Sequence, residues 1–125
     1  MILSQADSRP IYVQIMDEIG RRVALGDWPP GFRLPSIREL AAELKVSVIT
    51  VKRAYLELER AGVIDTRQGR GSFVSDRLVV DDVRQEELER AMEQAARLGE
   101  AMGLSHDDLV ALLEQYTRPN GGHVK

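Results

Sequence analysis

The stretch Ser47-Val48-Ile49-Thr50-Val51-Lys52-Arg53-Ala54-Tyr55-Leu56-Glu57-Leu58-Glu59-Arg60-Ala61-Gly62 decides the fold. Val51, Ala54, Tyr55 and Leu58 stand at i, i+3, i+4 and i+7, the spacing that puts four side chains on one buried stripe of a helix. Ile49, Lys52, Arg53, Leu56 and Arg60 project away from that stripe. Ser47 can cap the helix by accepting from an orphan backbone N–H, and Gly62 can end it in the left-handed conformation. A basic, hydroxyl-rich helix start suits a phosphate backbone, because helix N-termini attract anions. By itself such a segment is an ordinary amphipathic surface helix; its neighbours decide otherwise.

Just upstream, Ser36-Ile37-Arg38-Glu39 is a capping box that opens a second helix with the stripe Ile37, Leu40, Ala41 and Leu44. Lys45-Val46-Ser47 leaves room only for a turn, with Val46 in the corner, so the two helices pack steeply as in a helix-turn-helix. Earlier still, Met1 to Arg9 reads as a lead-in and Pro10 as the first turn of a helix with the stripe Tyr12, Ile15, Met16, Ile19 and Val23 and a stop at Gly26. Asp27-Trp28-Pro29-Pro30-Gly31 is a rigid elbow, since neither proline donates and each restricts the residue before it.

Beyond Gly62 the period changes to alternation: Val63 to Arg67, then Gln68-Gly69-Arg70-Gly71, then Ser72-Phe73-Val74. This predicts a hairpin with a φ-positive turn, and arginines at its tip beside a helix-turn-helix make it a wing.

The fold class is therefore mainly α with a small β-hairpin: a winged helix-turn-helix DNA-binding domain at residues 1–76, followed by a two-helix region at 77–125. Val79 to Val83 reads as a short apolar linker. Leu88, Ala91, Met92, Ala95, Leu98 and Met102 form one stripe, ended by Gly103. Ser105 and Asp108 start a last helix with the stripe Leu109, Leu112, Leu113 and Tyr116, and Thr117 to Lys125 is expected to fray. Two such helices cannot shield both stripes by packing on each other, so part of each meets a partner, most economically a second copy.

Composition narrows the function. The net charge of −3 opposes a surface that binds polyanions everywhere, yet 6 Lys and Arg against 3 Asp and Glu lie between Lys45 and Arg70. Residues 77–125 hold 6 against 10, so the tail has another task. The chain has no cysteine and no apolar run near the roughly 18 residues that cross a bilayer, so a cytoplasmic protein without membrane contact is expected. Two histidines, His106 and His123, predict no metal site, and the acidic run from Asp81 to Glu93 reads as a solvated helix face. No nucleophile, base and orienter pattern and no phosphate-cradling glycine loop is present, so neither an enzyme nor a cofactor is expected.

Pro10-Ile11-Tyr12-Val13-Gln14-Ile15, Pro30-Gly31, Leu34-Pro35-Ser36-Ile37-Arg38-Glu39-Leu40-Ala41, Val46-Ser47, Thr50-Val51, Ala54-Tyr55, Leu58-Glu59, Gly62 and Gly69-Arg70-Gly71-Ser72-Phe73-Val74 resemble the winged-helix domain of GntR-type bacterial regulators. The short two-helix tail resembles the YtrA type. The resemblance implies a transcriptional repressor that binds a double-stranded operator as a homodimer, and it leaves room for a small-molecule inducer of unknown identity. It also implies that the start of the second helix and the first turns of the third read bases, here Arg38, Val48, Ile49 and Lys52.

Arg38 can bond a guanine edge bidentately, or a phosphate instead. Val48 and Ile49 stand where several family members place polar readers; they can touch thymine methyl groups, and Val48 can equally pack inward. Arg33, Ser36, Ser47, Thr50 and Arg53 are candidates for phosphate contacts, with capping or solvation as the alternative. Arg67, Gln68, Gly69 and Arg70 would bring the wing to a minor groove. The dimer interface is expected at Leu88, Met92, Ala95, Leu98, Met102, Leu109, Leu112, Leu113 and Tyr116. The competing function is a winged-helix adaptor whose tail binds another protein.

Overall fold

The computed structural model describes residues 1–4 and 6–118; the end of the expected frayed tail, with His123, lies outside them. Helices α1 (Ile11–Ala24), α2 (Ile37–Leu44) and α3 (Val48–Arg60) precede strands β1 (Ile64–Arg67) and β2 (Gly71–Val74), which are followed by α4 (Arg77–Ala101) and α5 (His106–Thr117). Contacts divide the chain into two compact units, Met1–Glu87 and the residues from Leu88 onward.

In the first unit the apolar stripes of three helices converge. Ile15, Ile19 and Val23 of α1, Leu40 and Ala41 of α2, and Val51, Ala54, Tyr55 and Leu58 of α3 are buried together with Ile64 and Val74 of the hairpin. The two caps read from sequence are present. Ser36 Oγ accepts from the Glu39 N–H at 3.0 Å while Glu39 Oε1 accepts from the Ser36 N–H at 2.8 Å, and Ser47 Oγ accepts from the Thr50 N–H at 3.1 Å. Between α2 and α3 the chain reverses at Lys45, a residue with φ 59°. Val46, half-buried, packs against the core there.

The hairpin pairs Ile64 with Val74 and Arg67 with Gly71 in antiparallel register, and the Arg70 N–H donates to Arg67 O at 2.9 Å across a turn in which Gly69 has φ 77°. The segment after the proline elbow lies along β2. Gly31 N–H donates to Val74 O, Val74 N–H to Phe32 O and Leu34 N–H to Ser72 O, at 2.8 to 2.9 Å. This fastens the wing to the entrance of α2.

Two expectations are overturned. Val79 to Val83 is the first part of α4, not a linker. The Asp76 carboxylate accepts from the Leu78 and Val79 N–H groups and so starts the helix early. Val80 and Val83, one turn apart, are buried in the core of the first unit, and Arg84 Nε donates to the terminal Ala24 carbonyl of α1 at 2.9 Å. Thr117 likewise belongs to α5, its Oγ1 donating to Leu113 O at 3.2 Å.

In the second unit the remainder of α4 turns through Gly103 (φ 76°) into α5, capped by Ser105 and Asp108. The crossing is close at Gly99, where a Cβ would stand 2.8 Å from both Leu109 methyl carbons. Leu88, Met92, Leu98, Met102, Leu112, Leu113 and Tyr116 remain exposed. Among the described residues no helix is long and apolar enough to cross a membrane.

Candidate nucleic-acid interface

Helix α3 is anchored on one face and open on the other. Val51 and Ala54 are fully buried, and the Tyr55 hydroxyl donates to Pro35 O at 2.6 Å, tying the middle of α3 to the residue before the Ser36 cap. Burial, with Glu39 and Glu43 nearby, pushes the Tyr55 phenol well above its ordinary ionisation range, so it stays a donor. The opposite face carries Ile49, 79 % exposed, and Lys52, also exposed. Val48, 39 % exposed, lies between the two sides.

A cleft of about 400 Å³ opens between the start of α2, Tyr55 and the hairpin. Arg33, Ser36, Arg38, Arg67, Gln68 and Gly69 line it. Arg70 is in the turn but not on this lining, and Ser47, Val48, Ile49, Thr50, Lys52 and Arg53 lie along α3 and its cap outside it. The cleft unites the second-helix and wing candidates, which lie about thirty residues apart in the sequence.

The cations differ in how they are engaged. Arg33, Arg38, Lys52 and Arg70 enter no ion pair among the described residues. Arg9 is bound to Asp7 and Asp17, Arg21 and Arg22 to Glu18, and Arg60 to Glu57. Glu39, in the first turn of α2, is held by the Ser36 cap, whose hydrogen bonds lower its pKa, with Arg33 adding a smaller electrostatic pull. A polyanion therefore meets cations that need not surrender an existing partner.

Sequence reasoning missed three supports. Arg67 lies over the Phe73 ring at 4.9 Å; a Cβ at Gly71 would come within 3.0 Å of Arg33 Nε; and Arg53 stacks on Tyr12 at 4.4 Å. The first and second lie within or beside the hairpin and follow from its register. The third joins residues far apart in the chain and left no local signal.

Residues 11–74 match the model of the bacterial regulatory proteins of the gntR family. The chain is 33 % identical over 111 residues to the HTH-type transcriptional regulator YhcF of Bacillus subtilis, covering 88 % of this chain and 92 % of that one. It is 34 % identical to the solved YtrA of Sulfolobus acidocaldarius, a GntR-family transcription factor, with a TM-score of 0.57 over 90 % of this chain and 92 % of that one. The DNA-binding domain of AraR, solved in complex with an operator, is 29 % identical with a TM-score of 0.57, covering 60 % of this chain and 95 % of that one. A winged helix-turn-helix with unpaired cations at its open face, matched over about nine-tenths of the chain by regulators of one kind, places this chain in the GntR family of transcriptional regulators, among its YtrA-like members.

Proposed function

We propose that two copies of this chain bind an inverted-repeat operator and repress transcription from it, acting by occupancy and without turnover of a substrate. The observation that carries this is the cleft and the α3 face together: Arg33, Arg38 and Lys52 stand unpaired beside two capped helix starts and a glycine-containing wing turn. Arg38 and Lys52 are assigned to base edges, with Val48 and Ile49 against thymine methyls. Arg33, Ser36, Ser47, Thr50 and Arg53 are assigned to phosphates, and Arg67, Gln68, Gly69 and Arg70 to the minor groove beside them.

The DNA-binding part is residues 1–76, with the first turns of α4 completing its core. The part from 77 onward supplies dimerisation through the exposed apolar side chains of α4 and α5. AraR, a relative of similar fold, is bound to an operator in its own structure, which supports the same use of the wing and recognition helix here.

Selection of bound duplexes from a random pool tests this reading. Enrichment of two half-sites in inverted orientation is expected. A pool that stays random after repeated selection, with the protein folded, would refute it.

A further inference from the structure

Arg53 is not a free cation. Its guanidinium carbon lies 4.4 Å from the Tyr12 ring centroid, Nη2 donates to the Tyr12 hydroxyl at 3.4 Å, and Nε lies 3.5 Å from Glu57 Oε2. Nη1 has no partner among the described residues, and the side chain is 55 % exposed. Tyr12 sits in the first turn of α1, and its half-buried ring packs against the core, so it offers a fixed platform. A planar guanidinium over a tyrosine face is held by cation–π attraction and loses less freedom when it meets an anion. Glu57 also pairs with Arg60 at 3.0 Å, so Arg53 can turn toward an anion without stranding that carboxylate.

We infer that Tyr12 is a positioning residue for DNA binding: it holds Arg53 extended, with one terminal nitrogen ready to donate to a backbone phosphate. Helix α1, which the sequence assigns only to the core, thereby takes part in the interface. The inference rests on the DNA-binding reading above and deepens it.

The test uses the full chain and a short duplex of arbitrary sequence across a salt series, because a phosphate contact is independent of sequence. Tyr12→Leu keeps apolar bulk and loses the aromatic face. It is expected to weaken binding by about two- to fivefold and to shift the salt slope toward that of Arg53→Ala. Tyr12→Phe retains the stack and is expected to restore most of the affinity. In the Arg53→Ala background, Tyr12→Leu is expected to have no effect. Arg53→Lys keeps the charge but not the stacked plane, and is expected to bind like Tyr12→Leu.

Wild-type affinity for Arg53→Lys overturns the inference whatever the fold of the Tyr12 variants. So does a Tyr12→Leu penalty that persists in the absence of Arg53, which would mark a merely structural role. Wild-type affinity and slope for Arg53→Ala would remove Arg53 from the interface and this inference with it, leaving the other contacts intact. Failure of the unsubstituted chain to bind any duplex at low salt would overturn the DNA-binding reading itself.

Discussion

Tyr55 shows how one side chain sets the geometry of a larger motif. Its ring fills the core and its hydroxyl reaches Pro35 O at 2.6 Å, so the same residue that buries α3 also fixes where α2 begins. Tyr55→Phe leaves a carbonyl without its donor and is expected to cost about 1 to 2 kcal/mol in denaturant unfolding. The phenol's folded pKa is raised above its ordinary value of 10.0, so the folded state holds its proton longer than the unfolded state and stability falls as pH rises past that value. The gap between wild type and Tyr55→Phe is therefore expected to narrow above about pH 10; a constant gap there would count against the buried donor. At the open face, Arg38→Ala and Lys52→Ala are each expected to cost about 1 to 3 kcal/mol on a cognate duplex and to relax preference at one base pair per half-site. Equal losses on scrambled DNA would make both residues phosphate contacts. The stripe of α3, the Ser36 and Ser47 caps and the hairpin glycines were legible because each depends on spacing within a few residues. The pairing of Arg53 with Tyr12 depends on how α1 and α3 pack, and no local pattern encodes that.

At the level of elements, α2 is short and leans on its capping box. The bonds between Ser36 and Glu39 lower the Glu39 pKa below its ordinary value of 4.5, so this carboxylate stabilises the helix above that pH and the contribution is lost as pH falls through the depressed value. Glu39→Gln is expected to remove this acid-dependent part of the unfolding profile, and an unchanged profile would mean the box is not maintained in solution. The α4–α5 turn depends on a residue type that sequence patterning undervalues. Gly99 stood in the chain as a weak helix former, yet Leu109 needs the space its missing Cβ leaves. Gly99→Ala gains helix propensity of up to about 1 kcal/mol but forces overlap with both Leu109 methyl carbons, and is expected to lower the thermal midpoint. A raised midpoint would show that the crossing adjusts freely. The misread linker has the same origin: Val79 to Val83 is too short an apolar run to separate a strand, a linker and a helix start by periodicity, and the deciding contact, Val80 and Val83 against the core, is long-range.

For the molecule as a whole, the exposure of the apolar side chains on α4 and α5 is the feature on which the proposed dimer rests. Met92 and Leu113 are 48 % and 45 % exposed, so changing both to Asp leaves the new charges access to water in the folded monomer but buries them unpaired in any dimer interface. Leu109 is a poorer target, because it already packs on Gly99 of its own chain. Sedimentation of Met92→Asp/Leu113→Asp is expected to give a monomer with the helical content of wild type; an unchanged dimer would move the interface elsewhere. Linked half-sites then act at high effective concentration, so losing the dimer weakens operator binding far more than losing one contact. The central claim is tested most directly by titrating a duplex with two inverted half-sites, and its scrambled counterpart, with the intact chain and with Met92→Asp/Leu113→Asp. The account predicts that the intact chain prefers the paired half-sites strongly and that the variant loses most of this preference while keeping salt-dependent binding to both duplexes. Equal affinity of the intact chain for the two duplexes would contradict it.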